Sequence, residues 1–279
     1  MAVAAKPGNF CVYATVPVDM TVLIKTLNEG QFGNQPWEIQ WAVAPQSFDD
    51  QAVSAIVNHH RTSPGIFNKT LFVIADRVDW ATSYVLAVNL DYEGFMDALR
   101  MKAGVAGDAI PSCDILNTDW YELIGRMTGH MYPKGAFAVY ASSAIVVKKQ
   151  ADLLENLNVG LEVRKQYSAA VCRIARGGFP SSVETEQGKD DEVDLQPIAK
   201  EHARVAKDEN FDPALFVVAD ELDWDDYGVI IVRASEDGTV VDSCRKPVDA
   251  ASEILTWVHQ GLLTWDEGKA WDDDKRTIE

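Results

Sequence analysis

The sequence lacks most of the short patterns that identify common enzymes and ligand sites. It contains no GxGxxG dinucleotide loop, no GxxxxGK[ST] phosphate loop, no GxSxG nucleophile elbow and no HExxH zinc motif. Cys11, Cys113, Cys172 and Cys244 form no CxxC pair, and no histidine stands at zinc-ligand spacing from them. These absences exclude the usual nucleotide-binding, serine hydrolase and zinc protease classes. They predict no metal site and leave any cofactor unknown.

Positive charge is also scarce. The chain has 25 basic against 43 acidic residues, a net charge of −18, and its densest basic pair is Lys148 and Lys149. Proteins that neutralise phosphates on nucleic acid or on anionic membranes need clustered Lys and Arg. The composition therefore predicts no nucleic-acid partner and no membrane partner. An acidic surface of this kind favours solubility, and it can attract a cationic partner.

Long apolar runs are missing as well. The longest weakly polar run, AFAVYASSAIVV, has 12 residues, whereas about 20 are needed to span a bilayer. The first ten residues lack the apolar stretch of a signal peptide. With four cysteines read as free thiols, these features predict a cytoplasmic protein.

What the sequence does contain is a repeat. The segment LFVIADRVDW (Leu71–Trp80) returns as LFVVADELDW (Leu215–Trp224), and the longer segments Phe67–Trp80 and Phe211–Trp224 agree at 8 of 14 positions. FCVYA near the start matches FAVYA at Phe137, and LNEG matches LNVG, in the same order along the chain. Self-similarity in a conserved order predicts a tandem duplication.

The predicted copies are residues 1–133 and 134–279, joined by the Pro- and Gly-containing segment 129–135. Two such copies are expected to pack about a pseudo-twofold axis, as the subunits of a dimer do. The second copy carries 17 extra residues between the first and last matches, and we place them in the polar stretch 176–194. This insertion is either a surface loop or a lid over a site.

Each copy is predicted to be a β-α-β-α-β-β-α unit of the α/β class, with mixed, mostly parallel sheets and one antiparallel strand at an edge. LFVIAD is an apolar run typical of a strand buried on both faces. The following strand, SYVLAVNLD, comes after only seven residues, too few for a parallel crossover. The second helix is predicted to begin at a capping box of Ser47 and Asp50, with Val53, Ile56 and Val57 on its buried face.

Packing does not explain the polar residues and tryptophan that end both copies of the repeated segment. The first aspartate of each set follows a strand taken as parallel, and ligands in open α/β sheets bind beyond the carboxyl ends of such strands. The alternative is structural: aspartate binds backbone N–H groups in turns, and tryptophan covers a sheet edge. The candidate binding residues are Asp79, Trp80, Asp220, Asp223 and Trp224, and Asp76 is a candidate catalytic residue.

A second candidate group occurs in NHHRTSPG, where His59, His60 and Arg61 end the second helix. At an offset of 144 residues the second copy has Ala203, Arg204 and Val205 instead, so these histidines are expected only in the first copy. They can stabilise the carboxyl end of the helix. Alternatively His59 or His60 serves as a general base, with Arg61 as an anion-binding group beside it.

Two functions remain open. The first is a non-catalytic cytoplasmic protein that binds a small molecule or a protein partner in the cleft between the copies. The second is an acid/base enzyme, of lyase, isomerase or hydrolase type, with an asymmetric site on the first copy. A concave pocket with convergent titratable groups would favour the enzyme, whereas a flat apolar patch would favour protein binding. The sequence does not define an oligomeric state.

Overall fold

The computed structural model describes residues 9–29, 41–63, 67–90, 96–114, 119–120, 122–123, 137–143, 145, 147–158, 172–175 and 193–271. The chain divides into two compact units: unit 1 is residues 1–131 with 260–279, and unit 2 is residues 132–259. The predicted boundary at residue 133 lies outside the described residues, as do the linker 129–135 and nearly all of the insertion 176–194. Residues 260–279, placed by the sequence in the second copy, group with unit 1.

Strands and helices alternate through most of the described chain. In chain order the elements are β1 (Asn9–Ala14), α1 (Met20–Glu29), β2 (Trp41–Val43), α2 (Val53–Thr62), β3 (Phe67–Ala75), β4 (Val85–Leu90), β5 (Met96–Met101), α3 (Ala103–Asp114), β6 (Phe137–Ala141), α4 (Val147–Leu157), β7 (Cys172–Ile174), α5 (Gln196–Glu209), β8 (Leu215–Ala219), α6 (Trp224–Tyr227), β9 (Val229–Ala234), β10 (Val240–Lys246), α7 (Val248–Gln260) and α8 (Trp265–Ala270).

The sheet of unit 1 has the strand order β2-β1-β3-β4-β5. Strand β1 pairs in parallel with β2 and β3, and the β3–β4 and β4–β5 pairs are antiparallel. Ile74 pairs with Leu86, which pairs with Arg100 on β5. The carboxyl ends of β1, β2 and β3 therefore lie at one edge of this sheet, where ligands of open α/β proteins bind.

The sheet of unit 2 repeats this arrangement with the order β7-β6-β8-β9-β10. Strand β6 pairs in parallel with β7 and β8, and the β8–β9 and β9–β10 pairs are antiparallel. Val218 pairs with Ile230, which pairs with Arg245. The two units are thus similar mixed α/β halves, an arrangement compatible with duplication.

Each sheet contains one strand that is not predicted from the sequence. Strand β4 was expected at the sheet edge, but β5 pairs with its outer side, and β10 does the same beside β9. The sequence of β5, MDALRM, consists largely of good helix formers and has no β-branched residue. It forms a strand because the burial of Met96, Leu99 and Met101 outweighs the local helix propensity.

The start of α2 was also predicted incorrectly. The helix begins at Val53 after an Ala52 N-cap that makes no side-chain capping bond. Ser47 instead donates its hydroxyl to Asp49, at 2.7 Å, and Asp50 has a left-handed φ of 60°. These residues form a separate turn that ends β2, so no capping box can form. The buried face of α2 was correct, since Val53, Ile56 and Val57 are all buried.

The core of unit 1 contains one unusually close helix contact. A Cβ atom on Gly107 of α3 would lie 1.9 Å from the carbonyl oxygen of Leu27 on α1. Glycine is therefore required where these two helices meet. Helix α3 also packs on β3 and β4, so the contact fixes α1 above the sheet. Along the described part of the chain, no helix combines the length and apolarity needed to cross a bilayer.

Candidate functional site

His60 is hydrogen-bonded on both ring nitrogens. Its Nε2 lies 2.8 Å from the carbonyl oxygen of Asn68, which can only accept, so Nε2 carries the proton. Its Nδ1 lies 2.8 Å from the Tyr13 hydroxyl, which therefore donates to the free lone pair. The ring is a neutral Nε2–H tautomer whose only basic atom already accepts a hydrogen bond.

Burial reinforces this neutral state. His60 is 5% exposed and its ring stacks on Phe72 with centroids 4.1 Å apart. The pKa of His60 falls from 6.5 to about 4, mainly because burial disfavours the charged ring; the Asn68 carbonyl raises the pKa and the nearby His59 lowers it. A neutral, enclosed and fully bonded imidazole fits a structural role better than the general-base role proposed from the sequence.

Unit 2 contains the same arrangement around His202. Its Nδ1 lies 3.1 Å from the Tyr140 hydroxyl, its Nε2 lies 2.7 Å from the Asp212 carbonyl oxygen, and its ring lies 4.4 Å from that of Phe216. The expectation that these histidines occur only in the first copy is therefore wrong for His60. The two histidines are 142 residues apart, whereas Leu71 of β3 and Leu215 of β8 are 144 apart, so a comparison at the fixed offset of 144 missed His202.

His59 and Arg61 lie on the last turn of α2 beside His60. The Nε2 of His59 is 3.0 Å from the Ser63 hydroxyl, and its ring centroid lies 5.0 Å from that of Phe48. Both side chains are partly buried. Basic groups at this end of a helix are stabilised by its dipole, which agrees with the structural alternative for both residues.

Asp76 is bound by an arginine that the sequence did not suggest. Arg100 on β5 donates from Nη1 to Oδ1 at 2.9 Å and from Nη2 to Oδ2 at 2.5 Å. The same guanidinium donates to the Gln260 carbonyl oxygen from Nε at 3.1 Å and from Nη2 at 2.6 Å. Turn N–H groups had been expected as the donors. The arginine was missed because its strand was missed.

Asp220 forms the corresponding ion pair in unit 2. Arg245 on β10 donates from Nη1 to Oδ1 at 2.9 Å and from Nη2 to Oδ2 at 2.6 Å. Each bidentate pair holds both oxygens of its carboxylate. Hydrogen bonding and charge from Asp220 raise the pKa of Arg245 above its ordinary value, although burial acts in the opposite direction. Both aspartates therefore act as anchors between the third and fifth strands of their sheets.

The remaining residues of the repeated segment form the turn and cover it. The Asp79 carbonyl oxygen accepts from the N–H groups of Thr82 and Ser83, each at 2.9 Å, and the Asp223 carbonyl accepts in the same way from the third and fourth residues beyond it. Trp80 and Trp224 are 6% and 5% exposed. The side chain of Asp223 also forms an exposed ion pair with Lys149 at 3.4 Å. These contacts agree with the structural alternative for Asp79, Asp223 and the two tryptophans.

One polar contact is made in both units, but the residue near the start of the third strand donates in unit 1 and accepts in unit 2. Asn68 donates its amide to Asp114, the last residue of α3, whereas Asp212 lies 2.5 Å from the Nδ1 of His259 near the end of α7. Burial raises the pKa of Asp212, but His259 and two backbone N–H groups lower it more strongly, so it falls below its ordinary value. Each unit therefore ties the start of its third strand to a helix end by a different polar pair.

A concave pocket of about 360 Å³ lies at the carboxyl ends of β1 and β2 in unit 1. Its walls are the end of β1 and the loops after β1 and β2, with Val16, Val18 and Val43 as apolar lining. Gln46, Ser47 and Asp49 add polar groups. None of the residues proposed as site residues from the sequence lines this pocket. We call it the β1–β2 pocket.

The two loops that line this pocket are joined by a backbone hydrogen bond. The N–H group of Asp50 donates to the Thr15 carbonyl oxygen at 2.8 Å, and Asp50 holds a left-handed φ of 60° that few non-glycine residues adopt. The loops are consequently preformed around the pocket. The sequence carried one signal for this pocket, which is that both loops follow parallel strands. The pocket was not predicted because the aspartates after β3 are more conspicuous.

Within the described residues, no group of three His, Cys, Asp or Glu side chains could hold a metal ion. Comparison with known proteins finds no matching family model, no matching curated protein and no matching solved structure.

Proposed function

We propose that this protein binds a small molecule, without transforming it, in the β1–β2 pocket of unit 1. The observation that carries this proposal is the position and lining of the pocket. It lies beyond the carboxyl ends of two parallel strands, and it combines an apolar wall with a few polar groups. Both features are typical of ligand sites in α/β proteins, and 360 Å³ falls at the small end of the usual range of about 300–1,000 Å³.

The alternative, an acid/base enzyme using His59, His60 and Asp76, has less support. The only basic nitrogen of His60 accepts a hydrogen bond from Tyr13, and both oxygens of Asp76 are held by Arg100. A general base must have a lone pair that the substrate can reach. Binding of a protein partner, and a site in a cleft between the copies, stay predictions.

We further propose that the chain arose by tandem duplication. The support is the shared strand order, the matching ion pairs of Asp76 and Asp220, and the matching environments of His60 and His202. A pseudo-twofold arrangement stays a prediction. Cys11, Cys113 and Cys172 are buried free thiols, which agrees with a reducing compartment, so cytoplasmic location is kept as part of the proposal.

The test is a thermal-shift screen of a small-molecule library against three proteins. Val43, 48% exposed on β2, lines the pocket, and Val43→Trp would fill it without entering the core. Val241, 57% exposed on β10 of unit 2, provides the matched control Val241→Trp. Ligands that stabilise the parent protein and Val241→Trp, but not Val43→Trp, are the expected result. Stabilisation that survives in Val43→Trp, or a library with no stabilising member, would overturn the proposal.

A further inference from the structure

The charged group at the β1–β2 pocket is a carboxylate. Among the described residues that line the pocket, Asp49 is the one with a charged side chain. Two further acidic residues, Asp19 and Asp50, adjoin lining residues in the sequence, and the whole chain has a net charge of −18. The Asp49 carboxylate would repel an anionic ligand, and the described lining residues offer no cation to compensate. The electrostatics therefore favour a positively charged ligand.

The Asp49 side chain is exposed and accepts one hydrogen bond from its own loop. Ser47 donates its hydroxyl to Oδ2 at 2.7 Å, and the same hydroxyl oxygen accepts from the Asp49 N–H at 3.3 Å. Within the described part of the chain, no donor is bonded to Oδ1. The next residue, Asp50, is fixed by its bond to the Thr15 carbonyl. One carboxylate oxygen therefore remains open to an incoming N–H donor.

Part of the pocket lining suits an apolar group. The lining includes Val16 and Val18 on the loop after β1, Met20 at the start of α1 and Val43 at the end of β2. Gln46 and Ser47 add hydrogen-bonding groups to the same lining, so a ligand with both an apolar body and a polar head fits it. A volume of 360 Å³ corresponds to about a dozen waters at roughly 30 Å³ each, enough for a short hydrocarbon chain and one polar head.

We infer that the ligand of the β1–β2 pocket is an organic ammonium compound, with its cationic nitrogen on Asp49 and its apolar body against Val16, Val18 and Val43. This inference rests on the proposed function, because it names the class of ligand for the same pocket. Asp49 acts as the counter-ion that distinguishes an amine from an alcohol or an acid of the same shape.

The experiment is an NMR titration of the full-length, ¹⁵N-labelled protein with hexylammonium, 1-hexanol and hexanoate, which share one apolar body. Hexylammonium is expected to shift pocket resonances and to bind about tenfold or more tightly than hexanol, with hexanoate weakest. Asp49→Asn keeps the acceptor for Ser47 but removes the charge, so it should bring hexylammonium to the affinity of hexanol. Asp225→Asn, an exposed residue of unit 2 with the same charge change, should bind as the parent does.

The outcomes separate the two proposals. Equal affinity for hexylammonium and hexanol, or hexylammonium binding that is unchanged in Asp49→Asn, would overturn the ammonium inference while leaving a ligand pocket. Absence of binding by all three probes would also overturn the inference. The proposed function would be refuted only if the library screen gave no ligand whose binding is sensitive to Val43→Trp. That screen does not depend on the charge of the ligand.

Discussion

Replacing Arg100 with methionine should destabilise unit 1 more than replacing Arg245 destabilises unit 2. The guanidinium of Arg100 makes two bonds to Asp76 and two to the Gln260 carbonyl, and the paired side chains are only 14% and 13% exposed. Methionine preserves the apolar stem but leaves the carboxylate without its partner. Breaking a buried pair in this way costs about 3–5 kcal/mol.

The interaction itself is best isolated by a double-mutant cycle. Asp76→Asn, Arg100→Met and the double variant should give a coupling energy of about 2–4 kcal/mol, as expected for a desolvated bidentate pair. In unit 2, Arg245 is 39% exposed although Asp220 is only 5% exposed, so water screens the cation. The cycle of Asp220→Asn and Arg245→Met should therefore give about 1–2 kcal/mol.

Each cycle should be measured in the unit it concerns, because a two-unit chain need not unfold in one step. Native-state hydrogen exchange followed by mass spectrometry provides this resolution, with peptides from β3 reporting on unit 1 and peptides from β8 on unit 2. Coupling below about 0.5 kcal/mol in unit 1 would refute the reasoning from burial and bond number. A larger coupling in unit 2 than in unit 1 would refute it as well.

Two further predictions concern His60 and helix α3. Because burial holds the folded-state pKa of His60 near 4, below the 6.5 of an unfolded chain, the unfolded state takes up its proton first as pH falls. Its contribution to the free energy of unfolding should therefore drop by about 2 kcal/mol between pH 7 and pH 5, as measured by urea unfolding, and ¹⁵N NMR showing a protonated His60 at pH 5 would contradict this. Gly107→Ala should cost about 3 kcal/mol or more because its Cβ meets the Leu27 carbonyl, whereas Gly104→Ala, with nothing within 4 Å, should be neutral or stabilising by up to about 1 kcal/mol. Equal melting temperatures for the two alanine variants would contradict the close packing of α1 and α3.

The sequence was informative where local pattern and burial agree. The continuous apolar run at Leu71 became a buried central strand, and the short link to β4 correctly implied an antiparallel pair. The fifth strands were not predictable in this way. Strand β5 is built from helix formers, and β10 has a mixed polar sequence, so pairing with a neighbouring strand determines both.

The candidate site was less predictable, for a related reason. Conspicuous residues such as Asp76 and His60 turned out to satisfy internal hydrogen-bonding needs, because buried polar groups must be paired. Their partners, Arg100 and Tyr13, stand 24 and 47 positions away in the chain. No local spacing rule connects such pairs. The pocket, in contrast, is lined mostly by small apolar residues that carry no chemical signature.

Differences between the units are therefore more informative about binding than their shared residues. Where Asn68 with Asp114 is replaced by Asp212 with His259, both members have changed and a polar contact is kept, as structural need requires. The loops of the β1–β2 pocket show no such compensation. Thr15 to Asp19 reads TVPVD after β1, whereas SSAIV follows β6, so these two sequences differ at every position. Loop sequences that differ between two similar sheets can be shaped by a ligand, and this agrees with the site that we propose on unit 1.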